Sequence, residues 1–224
     1  MDEDRDNNDE PDESAAQEIS PPISRATVNE QFRTALLSVL VLTVLSGAVF
    51  PLLLFAIARP LFPRQTEGSL IRRGGAVVGS ELIGQEFQRP EYFQSRPSAA
   101  GSGYDGTASG GTSLVPNNPK LVNGSADFAG IRPLAEEYRQ RNGLAPDAAV
   151  PIDAVTRSGS GLDPHISLAN ALLQVPRVAR ARGLSEEVVR RLVMDHLEGR
   201  RLGFLGNPRV SVLELNLHLD NVTK

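Results

Sequence analysis

Residues 34 to 58 read TALLSVLVLTVLSGAVFPLLLFAIA, which is 25 consecutive residues without a charge. Arg33 precedes this stretch and Arg59 follows it. As an α-helix it would be ~37 Å long, enough to cross the ~30 Å hydrocarbon core of a bilayer with some tilt. The stretch therefore predicts one transmembrane helix over residues 34–58. We expect a kink at Pro51, because proline removes a backbone donor.

Two other interpretations of the same stretch are a cleaved signal peptide and a buried core helix. Ala56 and Ala58 would supply an A-x-A cleavage site, but the hydrophobic region of a signal peptide normally spans only ~7–15 residues after a short basic start. Here the start is 33 residues long and acidic. A buried core helix usually keeps a polar face. The length and flanks favour a membrane anchor.

The region before the helix, residues 1–31, is predicted to be a disordered acidic tail. Its first 18 residues hold nine acids against one base, Arg5, with almost no large apolar side chains. Removing this charge from the total of −4 leaves the rest of the chain net positive. The 21 Arg are scattered among few aromatic residues, so we expect no nucleic-acid partner. Membrane lipid is the expected surrounding of the helix.

The orientation of the helix can be estimated from its flanking cations. Arginine is more frequent on the C-terminal flank, at Arg59, Arg64, Arg72 and Arg73, than on the N-terminal flank, at Arg25 and Arg33. Counted literally, the positive-inside rule places the large domain in the cytoplasm, although long domains are translocated largely regardless of charge. The chain has no Cys, which excludes disulfides and thiol catalysis but fits either compartment.

The sequence after the helix predicts strands, a long loop and helices. Residues 70–83 are expected to form a β-hairpin or meander around Gly74-Gly75. Residues 95–120 are rich in Gly, Ser, Pro and Asn and predict a long loop. Arg132 to Asn142 is expected to be a helix ended by Gly143, and Val150 to Thr156 a strand.

The last part of the chain completes an α+β pattern. Residues 167–182 predict a helix interrupted at Pro176, and Ser185 is a good N-cap for the helix that follows it. Val210 to Leu219 alternates leucine with polar residues and predicts a half-buried strand. We therefore expect one N-terminal transmembrane helix followed by a single mixed α/β soluble domain.

Few residues suggest catalysis or metal binding. The three His show no metal-ligand spacing, so neither catalytic residues nor a metal site is predicted. Ser113, His165 and Asp163 could form a hydrolase triad, but no G-x-S-x-G motif accompanies them. The simpler interpretation of Asp163-Pro164-His165 is a turn. The Gly-rich stretches at 109–111 and 158–161 lack the Lys of a phosphate-binding P-loop and predict flexible loops.

Several longer blocks resemble one known family, the C subunit of the bacterial Kdp potassium-transporting P-type ATPase. The matching blocks are RPEYFQSRPS at 89–98, Tyr104-Asp105, Ser109-Gly-Gly111, Asn118-Pro119, SGSGLDPHIS at 158–167, QVPRVA at 174–179, Ala181-Arg-Gly183 and RLGFLGNPRV at 201–210 with the Leu-Asn-Leu ending. They occur in order over residues 32 to 220. Val115 and Asn207 depart from the expected Gly and Glu.

The resemblance implies a non-catalytic subunit of a potassium uptake pump in the cell membrane. Its implied partners are a channel-like potassium-binding subunit, the P-type ATPase subunit and a small membrane subunit. It implies that residues 68–221 form an extracytoplasmic domain and that the N-terminal tail is cytoplasmic, against the arginine count. No cofactor of its own is implied, but ATP could lie at the interface with the ATPase subunit.

Two roles within such a pump are compatible with the family. One is a catalytic chaperone that raises the ATP affinity of the ATPase subunit, with Ser109, Gly110, Gly111 and Gln174 as nucleotide contacts. The other is structural: the helix docks on the channel-like subunit and the domain caps its extracellular mouth. Outside the family, a membrane-anchored extracytoplasmic hydrolase or binding domain unrelated to ion transport is the alternative.

Overall fold

The computed structural model describes residues 25–222, which divide into two units with the boundary in the sequence between Leu61 and Phe62. Residues 1–24 of the predicted disordered tail (residues 1–31) lie outside the described residues. Helix α1 begins at Arg25.

The N-terminal unit is one helical run, formed by α1 (Arg25–Val44), a π-helical turn (Leu45–Val49) and α2 (Phe50–Leu61). Thr27–Leu61 is long and apolar enough to span a membrane, with a mean hydropathy of 2.5 in its most apolar window and none of that window buried. The predicted span of 34–58 lies inside it. The π-helical turn ends two residues before Pro51, which lacks the N–H that would bond to the carbonyl of Gly47. The backbone therefore rearranges one turn before the proline.

The second unit begins with the short helix α3 (Pro63–Thr66) and an antiparallel hairpin of β1 (Leu70–Arg73) and β2 (Ala76–Ser80). Gly74 and Gly75 connect the strands with φ of 57° and 83°. Two consecutive positive φ angles are typical of the hairpin turn whose twist matches that of the strands. The predicted hairpin is confirmed.

A three-stranded antiparallel sheet forms the centre of the domain in the order β3 (His165–Ser167), β5 (Arg209–Ser211), β4 (Leu197–Glu198). Three helices pack against one another and the sheet: α7 (Leu168–Arg182), α8 (Glu186–Asp195) and α9 (Val212–Val222). Their shared core consists of Phe93, Ile166, Ala171, Val175, Val178, Ala179, Val189, Val193, Val210, Val212, Leu215 and Leu219. A smaller cluster, Tyr138, Ala154 and Val155, lies where α5 (Ile131–Asn142) meets α6 (Ile152–Val155). The expected α+β architecture is confirmed.

Several helix ends follow the local signals in the sequence. Ser185 accepts a hydrogen bond from the backbone N–H of Val188 and caps α8. Gly143 and Gly183 end α5 and α7 in the left-handed conformation, which glycine adopts without steric cost. The long loop predicted at 95–120 is irregular up to the short helix α4 (Pro119–Asn123).

Two predictions made around prolines are wrong. Residues 150–156 form no strand but the single-turn helix α6, which Pro151 precedes with a φ of −59° suited to a helix start. Helix α7 runs through Pro176 without interruption. A proline inside a helix costs roughly 3 kcal/mol, but Val175 and Val178 on either side are fully buried, and their packing outweighs this loss.

The predicted strand over 210–219 is also wrong beyond its first residues. The strand ends at Ser211 and α9 begins at Val212. Val212, Leu215 and Leu219 are buried at helical spacing, with the half-buried Leu217 on another side. Leucine is a good helix former, so the alternation of Leu with polar residues is compatible with either period and tertiary packing decides.

The helix can be tested by comparing Leu215→Ala with Leu217→Ala. In a strand the two side chains would share a face and lose similar stability. In α9 Leu215 is fully buried and Leu217 is half-buried, so truncation of Leu215 should lower the free energy of unfolding by about 3 kcal/mol, and truncation of Leu217 by less than about 1 kcal/mol. Urea unfolding of both variants in detergent measures the difference. Equal losses would contradict the helix.

Candidate functional site

Residues 90–94, which we call the clamped segment, have no regular backbone pairing and are held by side chains instead. Asn216 of α9 accepts a hydrogen bond from the backbone N–H of Phe93 (2.8 Å) and donates one to its carbonyl (2.9 Å). Gln174 of α7 does the same with the N–H (2.8 Å) and carbonyl (3.2 Å) of Gln94. Two amide side chains thus replace a neighbouring strand and satisfy buried backbone groups.

Arg177 is the cation that holds the same segment. Its guanidinium donates to the carbonyls of Pro90 (2.5 Å) and Tyr92 (2.9 Å), to Asn142 Oδ1 (2.9 Å) and to Gln174 Oε1 (2.7 Å). Burial lowers the pKa of Arg177 to about 10, which leaves it charged at neutral pH. Five guanidinium donors in a fixed plane suit this convergence of acceptors.

The amide of Gln174 also belongs to a chain of buried polar groups. Its Nε2 donates to Asn170 Oδ1 (2.9 Å), which accepts in addition from the hydroxyl of Tyr138 (2.9 Å). Asn170 Nδ2 donates to Asp153 (2.9 Å), and the same carboxylate accepts from the N–H of Ser167 (2.8 Å). Both atoms of the Gln174 amide are therefore engaged within the domain.

The two Gly-rich loops pack against each other. The N–H of Gly110 donates to the carbonyl of Ser160 (2.9 Å), and the hydroxyl of Ser109 donates to the same carbonyl (3.1 Å). A phosphate-binding loop needs backbone N–H groups that point at the ligand. In this loop the N–H of Gly110 is already used inside the domain.

Glycine is required where these loops touch. A Cβ on Gly111 would lie 2.7 Å from the carbonyl oxygen of Gly159. A Cβ on Gly161, whose φ is 69°, would lie 2.3 Å from the carbonyl oxygen of Gly110. The glycines in both motifs are thus explained by close backbone approach.

The residues predicted to contact nucleotide lie around two different cavities. The larger cavity, about 650 Å³, has Gln174, Gln94 and Arg141 in its wall, and the smaller cavity, about 380 Å³, has Gly111. Ser98, Ser102 and Gly103 line both. Neither lining includes Ser109 or Gly110. The structure therefore does not gather the four residues around one cavity, and nucleotide contact stays a prediction.

The smaller cavity contains two cations. Lys120 is paired with Asp127 (3.1 Å), and Arg157 lies over the ring of Phe128 at 4.3 Å. Burial lowers the pKa of Arg157. Arg157 also donates to the carbonyl of Ala129 (3.1 Å). An anion in this cavity would meet cations that already have partners, which weakens any attraction.

Asp163-Pro164-His165 forms the predicted turn. Asp163 Oδ1 accepts from the backbone N–H of His165 (3.0 Å), as in an Asx turn, and Arg96 donates to Oδ2 (2.9 Å). The turn leads into β3. Both ring nitrogens of His165 lie near carboxylates, Nδ1 at 3.4 Å from Asp163 and Nε2 at 3.3 Å from Glu198.

This placement does not form a hydrolase triad. The base of a triad needs a ring nitrogen free to take the proton of the serine. Nε2 of His165 is next to Glu198, whereas Ser113 lies in the wall of the smaller cavity, whose lining does not include His165. Within residues 25–222, no group of three or more His, Asp or Glu side chains could hold a metal ion.

We expect a measurable pH dependence from Asp163. Burial alone would raise the pKa of Asp163, but hydrogen bonds from His165 and Arg96 outweigh it and lower the pKa to about 2. A lowered folded-state pKa means stability that is present above the unfolded value of ~3.9 and lost as the pH falls toward 2. Asp163→Asn should remove about 1–2 kcal/mol at pH 7 and flatten the decline between pH 4 and 2.

Urea unfolding over a range of pH values measures this effect. Asp147→Asn, at an exposed position in the loop after α5, is the matched control. A wild-type-like decline in Asp163→Asn would contradict the role given to this carboxylate.

Sequence reasoning missed the most connected residues of the domain. In the sequence, Arg177 and Asn216 stand out only as members of the blocks that resemble the family, QVPRVA at 174–179 and the Leu-Asn-Leu ending. The predicted strand places Asn216 on its polar face. The sequence signal that could have identified Asn216 is its position: at helical spacing it lies on the same side as Leu215 and Leu219. All three residues are buried.

Known proteins resemble this chain over most of its length. The family model described as KdpC, K+-transporting ATPase, c chain, matches residues 32–221. A protein of Sorangium cellulosum is 55% identical over 189 residues, which cover 84% of this chain and 96% of that protein. A protein of Koribacter versatilis is 50% identical over 188 residues, 84% of this chain and 92% of that protein.

A third relative, from Mycobacterium tuberculosis, is 48% identical over 195 residues, which cover 87% of this chain and all of that protein. All three relatives carry the name potassium-transporting ATPase KdpC subunit. The match to the family model, over residues 32–221, includes most of the apolar helix and the domain together. The chain therefore belongs to the KdpC family.

Proposed function

We propose that this chain is the accessory, non-catalytic subunit of an ATP-driven, high-affinity potassium uptake complex in the cell membrane. In this role it assembles with and stabilises a channel-like potassium-translocating subunit and an ATP-hydrolysing P-type subunit, together with a small membrane subunit. The observation that carries the proposal is the similarity to potassium-transporting ATPase subunits over 92–100% of their length. The apolar helix Thr27–Leu61 supplies the membrane anchor.

Co-purification tests the assembly. The chain, tagged and extracted in mild detergent, should bring the two large pump subunits with it. The π-helical turn contains Ser46, Gly47 and Ala48, whose small side chains permit close helix packing. Gly47→Leu should therefore reduce recovery, whereas Leu53→Ile, a swap of similar volume in the same helix, should not. Recovery of the chain alone would overturn the assignment.

For the domain itself we propose the structural role, in which it caps the extracellular mouth of the channel-like subunit. The support is that internal hydrogen bonds already occupy its polar motifs: Gln174 and Arg177 hold the clamped segment, and Ser109 and Gly110 hold the second Gly-rich loop. Such a domain is rigid and presents a fixed surface. This suits a structural partner better than a ligand that must bind and leave.

The proposed topology places residues 68–221 outside the cytoplasm and the tail inside. The chain lacks cysteine, so a single introduced thiol reports its own location. Asp147→Cys should react with a membrane-impermeant maleimide on intact cells, and Asn7→Cys only after lysis. The reverse pattern would place the domain in the cytoplasm, as the arginine count does.

The catalytic-chaperone role is a second candidate, favoured by one observation. Gln94, in the wall of the larger cavity beside Gln174, has a buried Nε2 without a hydrogen-bond partner among residues 25–222. A buried unsatisfied donor costs about 1–3 kcal/mol, which a bound acceptor would recover. ATP is one such acceptor.

The two roles differ in what Gln174→Ala does to the assembled pump. The structural role predicts a lower unfolding temperature of the subunit, with the KM for ATP unchanged as long as the complex stays intact. A higher KM for ATP in a complex with unchanged thermal stability would support nucleotide contact by Gln174 and contradict a purely structural role. Gln88→Ala, in the same cavity wall but exposed, is the control.

A further inference from the structure

The hairpin tip, residues 200–206, connects β4 to β5 and has an ordered backbone. Arg201 and Leu205 exchange two hydrogen bonds, N–H of Arg201 to the carbonyl of Leu205 (3.0 Å) and the reverse (2.9 Å). The N–H of Gly203 donates to the carbonyl of Arg200 (3.2 Å). Leu202 has a φ of 53°, a conformation that costs a leucine of order 1 kcal/mol. The backbone of the tip is therefore a hydrogen-bonded turn.

The side chains of this tip point away from the core. Leu202 is 82% exposed, Phe204 68% and Leu205 51%. Single exposed apolar residues are ordinary on a protein surface, but three large ones within four residues form a patch that typically marks a contact. Nothing else in residues 62–222 combines exposed large apolar side chains so closely in sequence.

The tip is also basic. Arg200 and Arg201 are exposed and make no ion pair among residues 25–222. The nearest acid before them, Glu198, is already paired with Arg209 (2.9 Å) and lies near His165 (3.3 Å). Residues 199–209 contain no acid. Two arginines without an ion pair among the described residues thus precede the exposed apolar side chains of the tip.

We propose that the hairpin tip inserts into the bilayer interface as a second, shallow membrane contact of this chain. Leu202, Phe204 and Leu205 would enter the boundary between headgroups and acyl chains. Arg200 and Arg201 would bind lipid phosphates. This combination of apolar and basic side chains is what interfacial membrane segments use. The inference goes beyond the proposed pump function, which assigns contact with the membrane only to the transmembrane helix.

The observations favour lipid over a protein partner. Three side chains bury much less than the ~800 Å² per partner of a standard protein interface, so the tip alone could not hold a partner. A shallow lipid contact needs less area when the domain is already tethered. Only residues 62–69 separate the apolar helix from β1, and eight residues reach at most ~28 Å. The tether therefore keeps the domain near the bilayer.

A single-cysteine experiment tests the insertion. Because the chain has no Cys, Phe204→Cys can be labelled with an environment-sensitive fluorophore in the full chain, reconstituted in vesicles of phosphatidylcholine and phosphatidylglycerol. Lipids brominated near the top of the acyl chain quench only probes that enter the bilayer. Ile152→Cys is the matched control, since Ile152 is 69% exposed, as Phe204 is.

We expect a blue shift and strong quenching at position 204 and neither at position 152. Replacing Arg200 and Arg201 by Gln, or raising the salt concentration, should weaken the quenching. Absence of quenching at 204 in vesicles would overturn the proposal. A probe at 204 that is shielded only in the assembled pump, and not quenched by brominated lipid there, would assign the tip to a protein partner and overturn it equally.

Discussion

Arg177→Ala should lower the free energy of unfolding of the domain by about 4 kcal/mol, close to the whole stability of a marginal domain. Arg177 donates to four acceptors, of which two are buried, Asn142 Oδ1 and Gln174 Oε1, and two are part-buried, the carbonyls of Pro90 and Tyr92. Truncation leaves these acceptors without their donor and opens a space in the core. A buried acceptor without a partner costs about 1–3 kcal/mol, and water entering the space would recover part of the sum.

Thermal and urea unfolding of the full chain in detergent measure this loss. Arg180→Ala is the control, because Arg180 is exposed on the same helix and should change stability by less than about 0.5 kcal/mol. Arg177→Lys keeps a cation but not the planar fork, so most of the loss should remain. A lysine variant as stable as wild type would show that charge alone matters here.

Gly161→Ala should lower the free energy of unfolding by about 4 kcal/mol as well, for a different reason. Its φ of 69° costs an alanine roughly 1–2 kcal/mol, and the new Cβ would lie 2.3 Å from the carbonyl oxygen of Gly110 and 2.8 Å from the N–H nitrogen of Ala100. Both neighbours are backbone atoms and cannot rotate away. The two Gly-rich loops must separate to admit the methyl group.

Gly159→Ala is a control from the same motif. A Cβ at Gly159 meets nothing within 4 Å and its φ is not in the left-handed region, so stability should change by less than about 0.5 kcal/mol. Hydrogen exchange at the N–H of Gly110, which bonds to Ser160, should speed up in Gly161→Ala only. Equal stability and equal hydrogen exchange of the two variants would contradict the close contact between the two Gly-rich loops.

Local signals in the sequence were enough for much of the fold. The Gly74-Gly75 turn, the Ser185 cap and the terminating Gly143 each act on residues a few positions away, so their effect is visible without the rest of the chain. The apolar helix is predictable for the same reason, since its length and composition alone define it.

Elements whose conformation depends on distant packing were not predictable. Residues 212–222 are helical because one side of them is buried against α8 and β5, and α7 tolerates Pro176 because it lies between two packed valines. Single-turn helices such as α6 are too short to have a periodic pattern. In each case propensity was overridden by tertiary contacts.

The hydrogen-bond partners in the candidate site were not predictable from the sequence. Gln174 lies in a motif that the sequence shows, yet its partner Gln94 is 80 residues away in sequence, and Asn216 bonds to Phe93 across 123 residues. Pairings over such separations have no local signature. The sequence thus places Gln174 and Asn216 in motifs, and the structure shows that both bind the clamped segment.

The wide separation between the clamped segment and its amide partners also has a kinetic consequence. Among the described residues, the backbone of Phe93 forms its hydrogen bonds only with Asn216, 123 residues further along the chain. During synthesis Phe93 therefore lacks these hydrogen bonds until α9 has been made. Contacts of such long range slow folding and make it cooperative. A variant truncated before Val212, which lacks α9, should consequently have no partly folded domain, and proteases should degrade the whole domain.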